Sequence, residues 1–201
     1  MKKIKIVLIG TLSVGKTSVF NILKRKYNNN KNFAFVREAA RDFINKYKLK
    51  DRSSIKIQKE IQDLIWNREK SAYKTNAKII ICDRSVIDPV VYSRFYGKLK
   101  ESKILFKRIE QWLKSYSNTK FLLFDILNWR FAPDKTRFEN EEKRIKIHKE
   151  YVRFLNENKL PFILITGSLK QRVEQTNKII KRFLPTTSSS TASTSGEPAT
   201  R

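Results

Sequence analysis

The residues Gly10-Thr11-Leu12-Ser13-Val14-Gly15-Lys16-Thr17 carry the clearest chemistry in the chain. They follow the apolar run Ile4 to Ile9 and open a stretch, residues 18–26, that reads as helix. Glycines let a backbone bend around a phosphate with its N–H groups turned inward, and a helix N-terminus adds its dipole. A lysine in this place reaches the outer phosphates, and the following hydroxyl suits Mg²⁺. The pattern predicts a nucleoside triphosphate site, with ATP wrapped by Gly10, Thr11, Ser13, Val14, Gly15, Lys16, Thr17 and Ser18. The bland alternative is an ordinary Gly-rich turn. The strand before the motif and the helix after it weigh against that, as does a total of only 5 glycines.

Carboxylates and arginines follow at positions that suit phosphoryl transfer. Residues 33–36 read as a short strand, and Glu38 comes just past its end, where ligands bind in open α/β sheets. A helix-start acid is the competing reading of Glu38. Residues 78–82 read as a central strand followed at once by Asp83-Arg84-Ser85, a Walker-B-like arrangement in which Asp83 and Thr17 organise Mg²⁺ and Arg84 stabilises phosphoryl charge. Asp83 could also cap the helix expected over residues 85–96. After a fourth strand, residues 119–124, the run Asn128 to Phe138 bears Arg130 and Arg137, with Arg144 beyond it. Arginines on such a loop are suited to clamping a transferred phosphoryl group through their planar fork. Ser168, after the fifth strand at residues 161–165, is expected to border the adenine. His148, the only histidine, reads as a surface residue without a metal or general-base role.

These residues need a scaffold, and the elements alternate accordingly. Strand, phosphate loop, helix, strand, helices, strand, helix, strand, arginine loop, helix, strand and helix predict a three-layer α/β fold. Its parallel sheet would have five strands in the order 2-3-1-4-5 and an arginine-bearing lid. Residues 53–73 form a long amphipathic helical pattern expected to cover the acceptor site. The 201 residues fit one domain over 1–184, and residues 185–201, rich in Ser and Thr, read as a disordered tail. A single cysteine, Cys82, and no apolar run long enough to cross a bilayer predict a cytoplasmic protein without disulfides, a monomer or homodimer. With Lys+Arg 44 against Asp+Glu 19, the net charge is +25. That favours phosphate-rich partners, nucleic acid among them. The lysines, however, are scattered along every segment, the bias expected of an AT-rich genome.

Three further stretches resemble one family. Arg37-Glu38-Ala39-Ala40-Arg41, Asp83-Arg84-Ser85-Val86-Ile87-Asp88 with Tyr92-Ser93-Arg94-Phe95-Tyr96-Gly97, and Pro133-Asp134-Lys135-Thr136-Arg137 with Glu142-Lys143-Arg144 are similar to the AAA-like ATPase/kinase family containing the ribosylnicotinamide kinase domain. Deoxynucleoside and thymidylate kinases are more distant relatives. The resemblance spans residues 3–183. It implies a P-loop nucleoside or nucleotide kinase using ATP and Mg²⁺ on a small-molecule acceptor. Glu38 would lie by the acceptor hydroxyl, Asp83 and Arg84 at the metal and phosphoryl group, and Arg130 and Arg137 on the lid. Trp66, Tyr92 and Phe95 are candidates to stack the acceptor ring, and Arg94 to meet an acceptor phosphate. Val14-Gly15-Lys16-Thr17-Ser18 also resembles small GTPases, but the chain has neither an Asp-x-x-Gly after the third strand nor an Asn-Lys-x-Asp. A polynucleotide 5′-kinase or nucleic-acid-associated ATPase stays open as the alternative.

Overall fold

A computed structural model describes residues 3–48, 52–126 and 140–184. Five strands, β1 (Ile4–Ile9), β2 (Phe33–Val36), β3 (Ile79–Asp83), β4 (Thr119–Phe124) and β5 (Phe162–Ile165), form one parallel sheet in the order β2-β3-β1-β4-β5. The expected order therefore holds. Parallel strands covered on both faces are buried from end to end, as β1 and β3 are, and so read as nearly continuous apolar runs.

Alternate residues of each strand feed two separate cores. Val7, Ile9, Ile80, Cys82, Phe121 and Leu123 face one side, against α3 (Ile55–Lys74), α4 (Asp88–Phe95), α5 (Leu99–Ser115) and α6 (Glu141–Glu157). Ile6, Leu8, Ile79, Ile81, Leu122 and Phe124 face the other, against α1 (Lys16–Lys26) and α7 (Leu169–Lys181). The remaining helix, α2 (Ala39–Tyr47), packs beside α3. Lys5 is a charged residue inside this apolar frame, fully buried and paired with Glu69 of α3 at 2.7 Å.

Two left-handed residues set where helices begin, and both shape the site. Gly15 adopts φ 78, so α1 begins at Lys16 and not before the glycine. Arg84 adopts φ 76, and the chain turns through Ser85 to Ile87 before α4 begins at Asp88. Asp83 consequently caps no helix. The turn is closed instead by Asp88, whose carboxylate accepts from the Ser85 N–H at 2.7 Å. Gly10 is required by space as well as by φ 130, because a Cβ there would meet the Phe124 carbonyl at 3.0 Å. No described helix is long and apolar enough to cross a membrane.

Candidate active site

The strand order brings the C-terminal ends of β1 and β3 side by side, and the loops leaving them build the site. Ser13, Val14, Gly15, Lys16, Thr17 and Ser18 line a cavity of about 260 Å³ together with Glu38, Arg41 and Arg84. Gly10 and the buried Thr11 hold the root of the loop. Lys16 donates to the Thr11 carbonyl across the loop. Burial first, and then the neighbouring Arg84, lower its ammonium to about 7, while Asp83, Glu38 and Asp88 pull the other way.

Thr17 Oγ1 donates to Asp83 Oδ2 at 2.7 Å, so the hydroxyl in the first turn of α1 meets the acid that ends β3. Burial, and then Glu38, raise the Asp83 carboxyl above its ordinary value. Its second oxygen, Oδ1, is buried without a hydrogen-bond partner. A buried, unsatisfied carboxylate oxygen beside a hydroxyl is what a hard cation would satisfy. Among the described residues no cluster of three or more His, Cys, Asp or Glu could cage a metal. One carboxylate and one hydroxyl suit Mg²⁺, which is commonly held by one or two carboxylates with phosphates and water completing the shell.

Arg84 forms the hub beside this pair. Its Nε donates to Glu38 Oε1 at 2.7 Å and its Nη1 to Asp88 Oδ1 at 2.9 Å, with the side chain only 5% exposed. Burial opposes that charge, yet Glu38, Tyr92 and Asp88 hold the guanidinium well above its ordinary value. Tyr151 of α6 donates its hydroxyl to the same Asp88. Glu38 occupies the residue before α2, but its side chain caps nothing. It is turned toward Arg84, with Arg41 at 3.4 Å from its other oxygen.

A second cavity continues on the far side of Glu38, Arg41 and Arg84, which line both spaces. Ile61 and Ile65 of α3, Ile44 and Asn45 of α2, and Tyr92 and Tyr96 around α4 enclose it, with Gln58 and Arg52 at its edge. Of the three predicted stacking residues only Tyr92 lines it. Trp66 packs on Trp112 with centroids 5.3 Å apart, and Phe95 on Tyr96 at 5.2 Å. Arg94 is tied to Glu150 and, at 2.7 Å, to Glu157, and so is turned to α6 instead of the cavity.

Among the described residues, the remaining expected ones line neither cavity. Ser168 is exposed and forms a capping box with Gln171 at the start of α7, outside the phosphate cavity. Arg144 is a buried residue of α6 donating to the Ile126 carbonyl at 3.0 Å, so it is not on the lid. His148 is no surface residue: its ring is 12% exposed, 3.6 Å from Asp125. Arg130, Arg137 and the whole expected lid lie outside the described residues, as does the tail over 185–201. Sequence reasoning gave no role to Arg41, Asp88, Tyr96, Tyr151 or Arg172. Only Asp88 and Arg41 had a local signal, their i,i+4 and i,i+3 spacing from Arg84 and Glu38 respectively.

Comparison with known proteins agrees with this architecture. A family model described as "AAA domain" matches residues 5–172. The chain belongs to that family. No curated protein matches it by sequence. Among solved structures, NadR protein in complex with NAD and AMP-PNP superimposes with a TM-score of 0.65 at 17% identity, over 90% of this chain and 49% of NadR. The chain thus spans about half the length of NadR. Deoxyadenosine kinase from M. mycoides with dCMP and dCDP bound gives 0.62 at 16% identity, over 89% of this chain and 100% of that one. Thymidylate kinase from Candida albicans gives 0.61 at 17%, over 90% and 92%. The fold is that of P-loop nucleoside and nucleotide kinases.

Proposed function

We propose that the protein is an ATP-dependent kinase that transfers the γ-phosphoryl group to a hydroxyl or phosphate of a nucleoside- or nucleotide-type small molecule. The observation that carries this reading is the shared wall: Glu38, Arg41 and Arg84 line both the phosphate-loop cavity and the cavity beside it. A hydrolytic ATPase or a switch has no need of a second, largely apolar chamber opening onto its phosphates. Two joined chambers suit a donor and an acceptor held in line.

In this mechanism Lys16 and Arg84 offset charge on the transferring group, and Glu38 accepts the proton of an attacking hydroxyl as its oxygen bonds to phosphorus and the bond to the ADP oxygen breaks. Thr17 and Asp83 would hold Mg²⁺, which supplies charge neutralisation on the phosphate oxygens when bound. Arg130 and Arg137 are the arginines proposed to close over the phosphates. Tyr92 and Tyr96 offer ring faces to the acceptor, and Arg41 and Arg52, which both line the cavity, are the cations proposed to meet an acceptor phosphate. The enclosed space is only about 70 Å³. Ligand pockets run from about 300 Å³, so acceptor binding requires the cavity to widen, a conformational step of the kind common in kinases.

The test is a radiolabelled ATP screen of nucleosides, nucleoside monophosphates, nicotinamide riboside and 5′-hydroxyl oligonucleotides against wild type and Glu38→Gln. One small-molecule class should be phosphorylated, with turnover lowered about 10²- to 10⁴-fold in Glu38→Gln. Transfer to none of them, with ATP hydrolysis untouched by Glu38→Gln, refutes the kinase reading. Transfer to oligonucleotides alone replaces the acceptor class.

A further inference from the structure

Arg172, in the first turn of α7, is, with Arg144, one of two fully buried arginines that the mechanism leaves unused. It is fully buried, and its guanidinium carbon lies 5.8 Å from the centre of the Phe124 ring. Its partners are main-chain carbonyls from three different loops. Nη1 donates to Val14 at 3.2 Å and to Asp125 at 3.0 Å, and Nε donates to Gly167 at 2.7 Å. Those loops leave the C-terminal ends of β1, β4 and β5. One cation therefore fastens three strand ends at the phosphate-binding edge of the sheet.

The contact to Val14 has a directional consequence. The described peptide bonds are all trans. In a trans peptide the carbonyl and the N–H of the next residue point in opposite directions. Fixing the Val14 carbonyl toward Arg172 thus aims the Gly15 N–H away from Arg172. Val14 and Gly15 both line the phosphate cavity, and Gly15 holds the left-handed φ that permits this turn. We propose that Arg172 is a positioning residue of the phosphate cradle: by holding the Val14 carbonyl outward it presents the Gly15 N–H to the bound phosphates.

The chemistry is specific to arginine. Carbonyl oxygens only accept, so their common partner must be a multiple donor, and the planar fork serves several acceptors at fixed angles where an ammonium is a single point. The inference rests on the nucleotide-site reading above. It adds that the cradle is held from α7, more than 150 residues downstream of Val14.

Wild type, Arg172→Met and Arg172→Lys would be titrated with MgADP, inorganic tripolyphosphate and adenosine, with thermal melts to establish folding. Arg172→Met should bind tripolyphosphate and MgADP at least tenfold more weakly and Arg172→Lys should fall between, with adenosine affinity unchanged. In amide NMR spectra the downfield movement of Gly15 on adding MgADP should shrink in the variants, while Lys16 and Thr17 still respond. If Arg172→Met does not fold, Arg172→Lys decides by the same ratios. Tripolyphosphate affinity within twofold of wild type in a folded variant overturns the proposal. So does a loss confined to adenosine, which would assign Arg172 to the loop at Gly167 alone. Failure of wild type to bind either phosphate probe overturns the nucleotide reading itself, an outcome distinct from binding that the variants share.

Discussion

Two groups of buried charge sit at opposite ends of the parallel sheet, and they differ in what they leave open. Near the start of β1, Lys5 meets Glu69 at 2.7 Å with side chains 1% and 0% exposed. Trp112 Nε1 donates to the same Glu69 oxygen at 2.9 Å, and the ammonium lies 5.6 and 5.8 Å from the rings of Trp112 and Tyr116. One cation matches one anion, aromatic rings seal the pair, and neither charge lines the two cavities of the site. At the other end, Arg84 bridges Glu38 and Asp88, Asp83 keeps one oxygen without a partner, and the group opens on two chambers. Burial of charge alone therefore does not mark a site. Nor does an unpaired oxygen, since Glu69 Oε1 is buried without a partner as Asp83 Oδ1 is. Charged side chains that line a cavity, as Glu38 and Arg84 do, mark one, because that is where an incoming cation or phosphate gains free energy.

The strongest break in this contrast is expected at Lys16. Lys16→Ala should lower phosphoryl-transfer turnover by three powers of ten or more, equivalent to about 4 kcal/mol in the barrier. Radiolabel transfer measures it, and undiminished turnover would remove the lysine from the chemistry. Next in size is the sealed pair. Glu69→Gln leaves Lys5 buried and uncompensated, at a cost of about 3–5 kcal/mol in urea unfolding, whereas replacing both partners with apolar residues (Lys5→Met with Glu69→Leu) should cost less, about 1–3 kcal/mol for the Trp112 N–H that loses its acceptor. Turnover per folded molecule should stay at the wild-type level in both. Loss of turnover in fully folded Glu69→Gln would erase the distinction between the two clusters.

The smallest effect is expected at His148. Burial holds this imidazole below its ordinary value of 6.5, with Asp125 opposing and Arg144 reinforcing. As pH falls through 6.5 the unfolded chain takes up the proton first, so stability should decline below that pH with a slope under the single-proton limit of about 1.4 kcal/mol per pH unit. His148→Gln should flatten the decline. An unchanged slope between pH 5 and 7 would assign it to other groups.

What the sequence determined by itself was local or periodic. Gly10 to Thr17 state their chemistry in contiguous residues, because a phosphate loop is one turn of chain with fixed demands on φ, on Lys16 and on Thr17. The strands were legible for a similar reason: a parallel strand buried on both faces needs an unbroken apolar run, as in Ile79 to Cys82. Strand order then brought Glu38 and Asp83 near each other, since both lie at the carboxyl ends of neighbouring strands. Tertiary structure alone decided how side chains were shared among elements. Asp88 serves Arg84, Ser85 and Tyr151 at once, and Arg172 reaches Val14 across the sheet. Arg94, Arg144 and Trp66, equal to the others as residue types, were drawn into packing. Nothing in a residue's type or spacing says which of several distant partners will be in reach. That is fixed only when helices seat on the two apolar faces of the sheet, because packing then sets which buried donors must find acceptors and which remain for a ligand.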